Sequence, residues 1–198
     1  MEAGDVIGRD APSRNCVHLI YNAHMHTIDP KELSVAPVRL LLEDWMLLTA
    51  GVFTDEQTDF NTMTVAWGFV GAMWRRPVAI TAVRPTRYTL EYLQRYETWT
   101  LTAFPERLRP QLEMLGSRSG RDGDKVADSS LTPMRSTRVS APTFREALLS
   151  IECRTIYVSK IDPQSVVDRT LDQLYNNDYH HMYYGEIVAV QVADDHAV

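Results

Sequence analysis

The segment PVAITAVR, residues 77–84, carries apolar side chains on both faces of an extended chain. Such a strand needs sheet neighbours at both edges and packed layers above and below, so it is predicted to be central. Other strand-like runs surround it in the sequence. MLLTAGVF (46–53) is apolar and is closed by the polar stretch TDEQTDFN, whereas MTVAWGFVGAMW (63–74) is broken at Gly68 and Gly71, which mark a bend or a close backbone approach. TWTLTAF (98–104) alternates, with Trp99, Leu101 and Ala103 on one face and Thr98, Thr100 and Thr102 on the other, the pattern of a half-buried strand. A long strand is expected near Ser150 to Ile161, after a helical turn, and a last one over HHMYYGEIVAVQVA.

Helical patterns fall between these runs: after Pro37, from Tyr88 to Tyr96, over PERLRPQLEMLGS with Pro110 as a candidate break, over GRDGDKVADSS, and over DPQSVVDRTLDQLYN. Residues 132–143 read as a loop. Several strands with helices between non-adjacent hairpins predict a mainly β fold, a β-barrel with helical decoration, and not a doubly wound parallel sheet.

The 198 residues suit one domain with a proper core, taken as 36–198 behind an N-terminal arm or lead-in at 1–35 that lacks a sustained period. A net charge of −6 argues against a general nucleic-acid binder. Two cysteines suit a reducing cytoplasm. MEAGDVIGRD does not read as a signal segment, and VRLLLEDWMLLTAGVF is interrupted by Glu43 and Asp44 and too short for a bilayer. The expectation is a cytoplasmic protein with no membrane or nucleic-acid partner. Cys16, His18, His24 and His26 form C-x-H-x5-H-x-H, which fits no structural zinc pattern, and no metal site is assigned. Cys153 reads as a buried small hydrophobe. His181 alternates away from His180 along the last strand and receives no role.

One stretch runs against the acidic balance. Between residues 75 and 95 stand Arg75, Arg76, Arg84, Arg87 and Arg95 against the single acid Glu91, a local net of +4. A solvated helix end is one reading. The other is a phosphate cradle, because Arg84 and Arg87 flank a helix start where Thr86 and Thr89 can cap or donate. Arg95, at the far end, complements the helix dipole. GSRSGRDGDK (116–125) brings Ser117, Ser119, Arg121 and Lys125, either as a second polar wall or as a plain glycine-rich connection. Neither GxGxxG after a strand nor a P-loop lysine–hydroxyl pair occurs, so a Rossmann-type dinucleotide site is not expected.

Four ordered pieces together resemble the flavin reductase-like family, particularly its flavoredoxin-like branch: NTMTVAWG (61–68), AVRPTRYT (82–89), GSRSGRDGDKVADSSLTP (116–133) and HHMYYGEIVAV (180–190). The likeness spans roughly residues 37 to 190. It implies an FMN-binding split β-barrel, a six-stranded Greek key with peripheral helices, and a homodimer that holds FMN between its subunits. By the same resemblance, Asn61, Thr62, Met63, Thr64, Val65, Ala66 and Trp67 would edge the flavin ring. Arg84, Thr86, Arg87 and Thr89, assisted by Lys125, would hold the phosphate, and His180 would help position a nicotinamide. Ala66 stands where many relatives have serine, and Tyr184 where an aliphatic residue is usual, so an altered pocket rim is expected. The implied activity is an NAD(P)H-dependent flavin reductase in which nicotinamide passes hydride to flavin N5. The alternative is an FMN-binding electron carrier without nicotinamide turnover of its own.

Overall fold

The computed structural model of the chain describes residues 24–194. Ten strands occur among them: β1 (Met25–Ile28), β2 (Met46–Phe53), β3 (Thr58–Val65), β4 (Gly68–Met73), β5 (Arg76–Val83), β6 (Thr98–Ala103), β7 (Pro133–Met134), β8 (Thr143–Phe144), β9 (Leu149–Lys160) and β10 (His181–Ala193). Eight of them form one sheet in the order β3-β2-β6-β9-β10-β5-β4, with β1 also paired to β10, and every pairing is antiparallel. The fold is therefore mainly β, with the expected peripheral helices. The barrel is not closed by hydrogen bonds, because β3 and β4 each end the path.

Those two end strands are consecutive in the chain, and only Ala66 and Trp67 separate them. A two-residue link reaches no more than about 11 Å between strand ends. Seven strands laid flat would put the same ends nearly 30 Å apart at ordinary strand spacing. The sheet must therefore roll. Gly68 permits this tight passage, since a Cβ there would run into the carbonyl oxygen of Ile80 on β5, whereas the space around Gly71 is open. Gly68 is thus a close approach and Gly71 is not.

The interior of the rolled sheet is filled by Leu48, Ala50, Trp99, Leu101, Ile151, Cys153, Tyr183 and Ile187. A second apolar cluster lies outside it, where Leu47 of β2 meets Leu112 and Leu115 of the helix at Arg109–Ser117, together with Phe104 and Phe144. Burial on both sides explains why MLLTAGVF is a continuous apolar run. The helices are short: α1 (Pro37–Arg39), which continues into a π turn at Leu40–Asp44, α2 (Thr89–Arg95), α3 (Arg109–Ser117) and α4 (Lys125–Asp128). Pro110 falls in the first turn of α3, where it starts the helix and does not break it. DPQSVVDRTLDQLYN forms two 3₁₀ turns, Pro163–Ser165 and Arg169–Leu174, in place of the expected helix.

Three other expectations need correction. TDFN belongs to β3 and does not close the preceding run, and the lead-in contains β1, which adds to β10. The threonine face of β6 is not solvated either: Thr100 and Thr102 are fully buried. The segment 132–144 covers them, with the Thr100 hydroxyl donating to the Pro142 carbonyl (2.7 Å) and Thr98 and Ser140 sharing a hydrogen bond of 2.8 Å. Threonine suits a strand surface whose cover is another backbone and not a side-chain core.

That covering segment is anchored by Glu152, a fully buried residue of β9. Its carboxylate accepts from the Thr137 amide (2.8 Å) and hydroxyl (2.9 Å), the Arg138 amide (2.6 Å) and the Gln191 side-chain amide of β10 (2.9 Å). Four donors satisfy a charge that would otherwise be costly to bury. Glu152→Ala leaves those donors buried without an acceptor and is expected to cost at least about 3 kcal/mol. Urea unfolding of the two proteins measures it, and a loss below about 1 kcal/mol would mean the segment is held by other contacts.

Candidate functional site

The two-residue link draws the end of β3 against the end of β5, and β10 supplies the third wall. His181 pairs with Val83 in register, so Arg84 and His180 leave the sheet side by side. Between them and the link lies a cleft of about 210 Å³, lined by Met63, Thr64, Val65, Ala66, Trp67, Ala82, Arg84, Arg87 and His180. A second cavity of about 80 Å³ adjoins it and shares Met63 and Arg87. Its further lining comes from Asn61, Thr86, Tyr88 and Thr89 on one side and from Leu115, Gly116, Ser117, Arg118, Ser119, Gly120 and Lys125 on the other. Of the residues named from the sequence, twelve of the thirteen line these two spaces.

The exception is Thr62. It is fully buried, and its hydroxyl donates to the Leu48 carbonyl (3.1 Å) and accepts from Thr49 (2.9 Å), so it ties β3 to β2 and does not edge the cleft. Thr64 does line the cleft, but its hydroxyl is donated to the Leu112 carbonyl of α3. Neither threonine near the start of α2 caps it: no side-chain cap bond forms there. Thr89 instead accepts from the Asn61 side-chain amide at 2.7 Å, which leaves its own proton for another acceptor.

The cations are unequal. Arg84 is committed: it donates to Asp178 (2.8 Å) and to the Leu174 carbonyl (2.7 Å), with Tyr175 under its guanidinium. Its role is thus to fasten the segment 174–178 against the cleft. Arg87 makes a single bond, to the Gly116 carbonyl at 3.1 Å, and so keeps most of its donors. Lys125 is 5% exposed and donates to the carbonyls of Leu115 (2.8 Å) and Arg118 (3.0 Å). Burial, then the nearby Arg87, lowers its pKa to about 8. An anion placed between Arg87 and Lys125 would relieve both costs. Arg121 turns away to Glu91 (2.5 Å) and the Thr86 carbonyl, so it braces the loop. The glycine-rich connection is a wall after all. At Gly120 a Cβ would strike the Asn61 side-chain oxygen, which shows how tightly this loop seats.

His180 is 6% exposed and sits against Trp67, with ring centroids 4.9 Å apart. Its Nδ1 lies 3.0 Å from the Tyr175 hydroxyl. Burial first, then the charge of Arg84 and more weakly that of Arg87, depress its pKa to about 4 against an opposing effect of Asp178, so the ring is neutral near pH 7. Tyr175 carried no sequence signal, because it lies in a stretch that reads only as helix. Tyr184 does not touch the rim; it clusters outside with Trp74 and Tyr157. Trp67 and Trp74 are both exposed and neither is core. The buried Cys153 thiol has its pKa pushed well up. His26 lies 2.8 Å from Asp194, while Cys16 and His18 fall outside the described residues.

A cavity lined by hydroxyls and by Arg87, Arg118 and Lys125, joined to a flatter cleft under an aromatic ring, is the arrangement of a site for a planar ligand that carries an anionic tail. The chain belongs to the flavin reductase-like family: the family's "Flavin reductase like domain" matches residues 46–198. Solved structures with a similar fold include an FMN-binding domain of a flavin reductases-like enzyme from Shewanella baltica OS155, at 13% identity over 87% of this chain and 78% of that one, TM-score 0.62. Flavoredoxin of Desulfovibrio vulgaris (Miyazaki F) is similar at 22% identity over 76% of this chain and 69% of its own, TM-score 0.59. The NADH:FAD oxidoreductase SgcE6 of Streptomyces globisporus is similar at 11% identity over 76% and 81%, TM-score 0.55. No curated protein is matched by sequence. Among the described residues, no helix is long and apolar enough to cross a membrane.

The depressed pKa of His180 has a consequence for stability. Above about pH 6.5 the ring is neutral in both folded and unfolded chains. As pH falls from there to about 4, only the unfolded chain takes the proton, so stability declines, and below about 4 this contribution is flat. The full effect is on the order of 3 kcal/mol. Urea midpoints at pH 7 and pH 4.5 should differ less for His180→Gln than for the parent. Equal differences would place the ring in an ordinary solvated setting.

Proposed function

We propose that the chain is an FMN-binding flavin oxidoreductase that takes its electrons from NAD(P)H. The observation that carries this reading is the junction of the two spaces at Met63 and Arg87: a phosphate-sized, cation-lined cavity opens directly into a cleft walled by backbone, Trp67 and His180. The residues present fit FMN. Arg87, Lys125 and the Thr89 hydroxyl would hold the phosphate, and the chain at 63–67 would edge the ring. Bound flavin would supply a ring able to accept hydride, and the protein's part is to bind, orient and exclude water. His180, neutral and held against Trp67, would present a hydrogen-bonding edge to the nicotinamide without donating a proton in the step. The names of two neighbours, a flavoredoxin and an NADH:FAD oxidoreductase, support flavin chemistry, and the second includes NADH.

The chain is proposed to act as a homodimer. Beside the cleft lies an apolar hollow of about 370 Å³ whose walls include Val38, Leu42, Ala66, Trp67 and Phe69. Val38, Leu42 and Phe69 are 75%, 61% and 63% exposed. A second copy covering this face would also screen the cleft from water. Phe69→Lys is expected to shift the protein toward monomer in sedimentation, and an unchanged mass would remove this face from the interface.

Titration with FMN and riboflavin tests the ligand. FMN should bind with a flavin spectral change, and Arg87→Ala should weaken FMN roughly ten- to a hundredfold while riboflavin barely moves. Equal weakening of both ligands would refute the phosphate assignment. NADH or NADPH oxidation with FMN present then tests the donor. FMN uptake without that oxidation would leave the chain an electron carrier, and no uptake at all would overturn both readings.

A further inference from the structure

We infer that Tyr175 is a positioning residue that fixes the tautomer of His180, so that Nε2–H faces the cleft as a donor to a ligand oxygen. The donor's role rests on the cleft being the ligand site proposed above; the tautomer does not. His180 lies just before β10 and lines the cleft on one side. Its Nδ1 is directed at the Tyr175 hydroxyl, 3.0 Å away. The two rings stand nearly perpendicular, at 79°, with centroids 5.4 Å apart, and the contact between them is this hydrogen bond at Nδ1.

Proton ownership follows from the chemistry of the pair. A phenol is a good donor and a poor acceptor, while an unprotonated imidazole nitrogen is a strong acceptor. Burial and the neighbouring Asp178 raise the Tyr175 pKa against a lowering effect of Arg84, so the phenol keeps its proton. His180 is neutral and has one ring proton. With the Nδ1 lone pair taken by Tyr175, that proton belongs on Nε2. A flipped ring would set carbon against the hydroxyl and lose the bond.

Tyr175 is itself held by two neighbours. Its ring stacks on Tyr179 at 4.3 Å and 20°. The Arg84 guanidinium lies 5.3 Å from its centroid. Arg84 is in turn bonded to Asp178 and to the Leu174 carbonyl, on either side of Tyr175 in the same segment. Trp67 packs on the His180 ring from the cleft. The imidazole is thus clamped between an indole and a phenol, with one nitrogen engaged and the other free.

Long-range ¹H–¹⁵N NMR of histidine-labelled protein reads the tautomer directly, with His180→Gln assigning the signal among the six histidines. At pH 7 the parent should show an unprotonated Nδ1 and a protonated Nε2. Tyr175→Phe keeps the ring stack and should shift the signal toward a mixture or Nδ1–H, while Tyr179→Phe should leave it in place. With FMN bound, Tyr175→Phe should slow flavin reduction by nicotinamide roughly three- to tenfold, the scale of one neutral hydrogen bond, with FMN affinity unchanged. An Nδ1–H tautomer in the parent, or an unaltered one in Tyr175→Phe, overturns the inference. A tautomer change without a rate loss overturns the donor's role. Failure to bind FMN would remove the proposed function and leave the tautomer result standing.

Discussion

The covalent link Ala66–Trp67 is the constraint on which the rest of the architecture depends. It joins the two strands at opposite ends of the sheet's hydrogen-bonded path. Hydrogen bonds alone would allow an open, gently twisted sheet. The short link does not, because the ends must meet within two residues. Rolling buries Trp99, Ile151 and Ile187 at the centre and leaves an unpaired seam between β3 and β4. The cleft lies at that seam, where backbone groups have no strand partner to satisfy them.

Electrostatics then divides the labour within a chain of net charge −6. The acids are not excluded from the neighbourhood; they are assigned to particular arginines. Asp178 takes Arg84, Glu91 takes Arg121 and Asp128 takes Arg118. What remains facing the smaller cavity is Arg87, with one carbonyl partner, and Lys125, buried and bonded only to carbonyls. The cavity is positive because neighbouring pairs neutralise each other and these two do not. Carbonyl partners hold a cation in place without cancelling its charge, so the site stays attractive to an anion from solution.

Much of this was legible in the sequence. The run PVAITAVR gave a strand with partners on both edges, and of the island of five arginines two, Arg84 and Arg87, line the cleft. What was hidden followed from the third dimension. Alternation put Thr100 and Thr102 on a solvent face, but the segment 132–144 covers it, with the Thr100 hydroxyl on the Pro142 carbonyl, and such backbone cover leaves no hydrophobic signature in the sequence. Thr62 and Thr64 shared a motif with Met63 and Val65, yet the pleat turns the hydroxyl of Thr62 to β2 and α3 takes that of Thr64. Arg84 looked equivalent to Arg87 because its partner, Asp178, is 94 residues away. Tyr184 departed from the usual residue type and so drew attention, but strand alternation aims it outward, toward Trp74.

The site rests on two kinds of support. One is sheet: β3, β5 and β10, locked by paired backbone and by the core beneath them. The other is the segment 162–179, two 3₁₀ turns with no strand pairing, held to the sheet through Arg84, Tyr175 and the polar contacts around them. Segments secured by a few side-chain bonds open at lower cost than strands do. Because the same bonds orient His180, the cost of moving that segment and the cost of misplacing the imidazole are one quantity. A ligand that needs His180 in its held orientation would therefore also stabilise the segment that holds it, and binding and ordering would be coupled through two side chains.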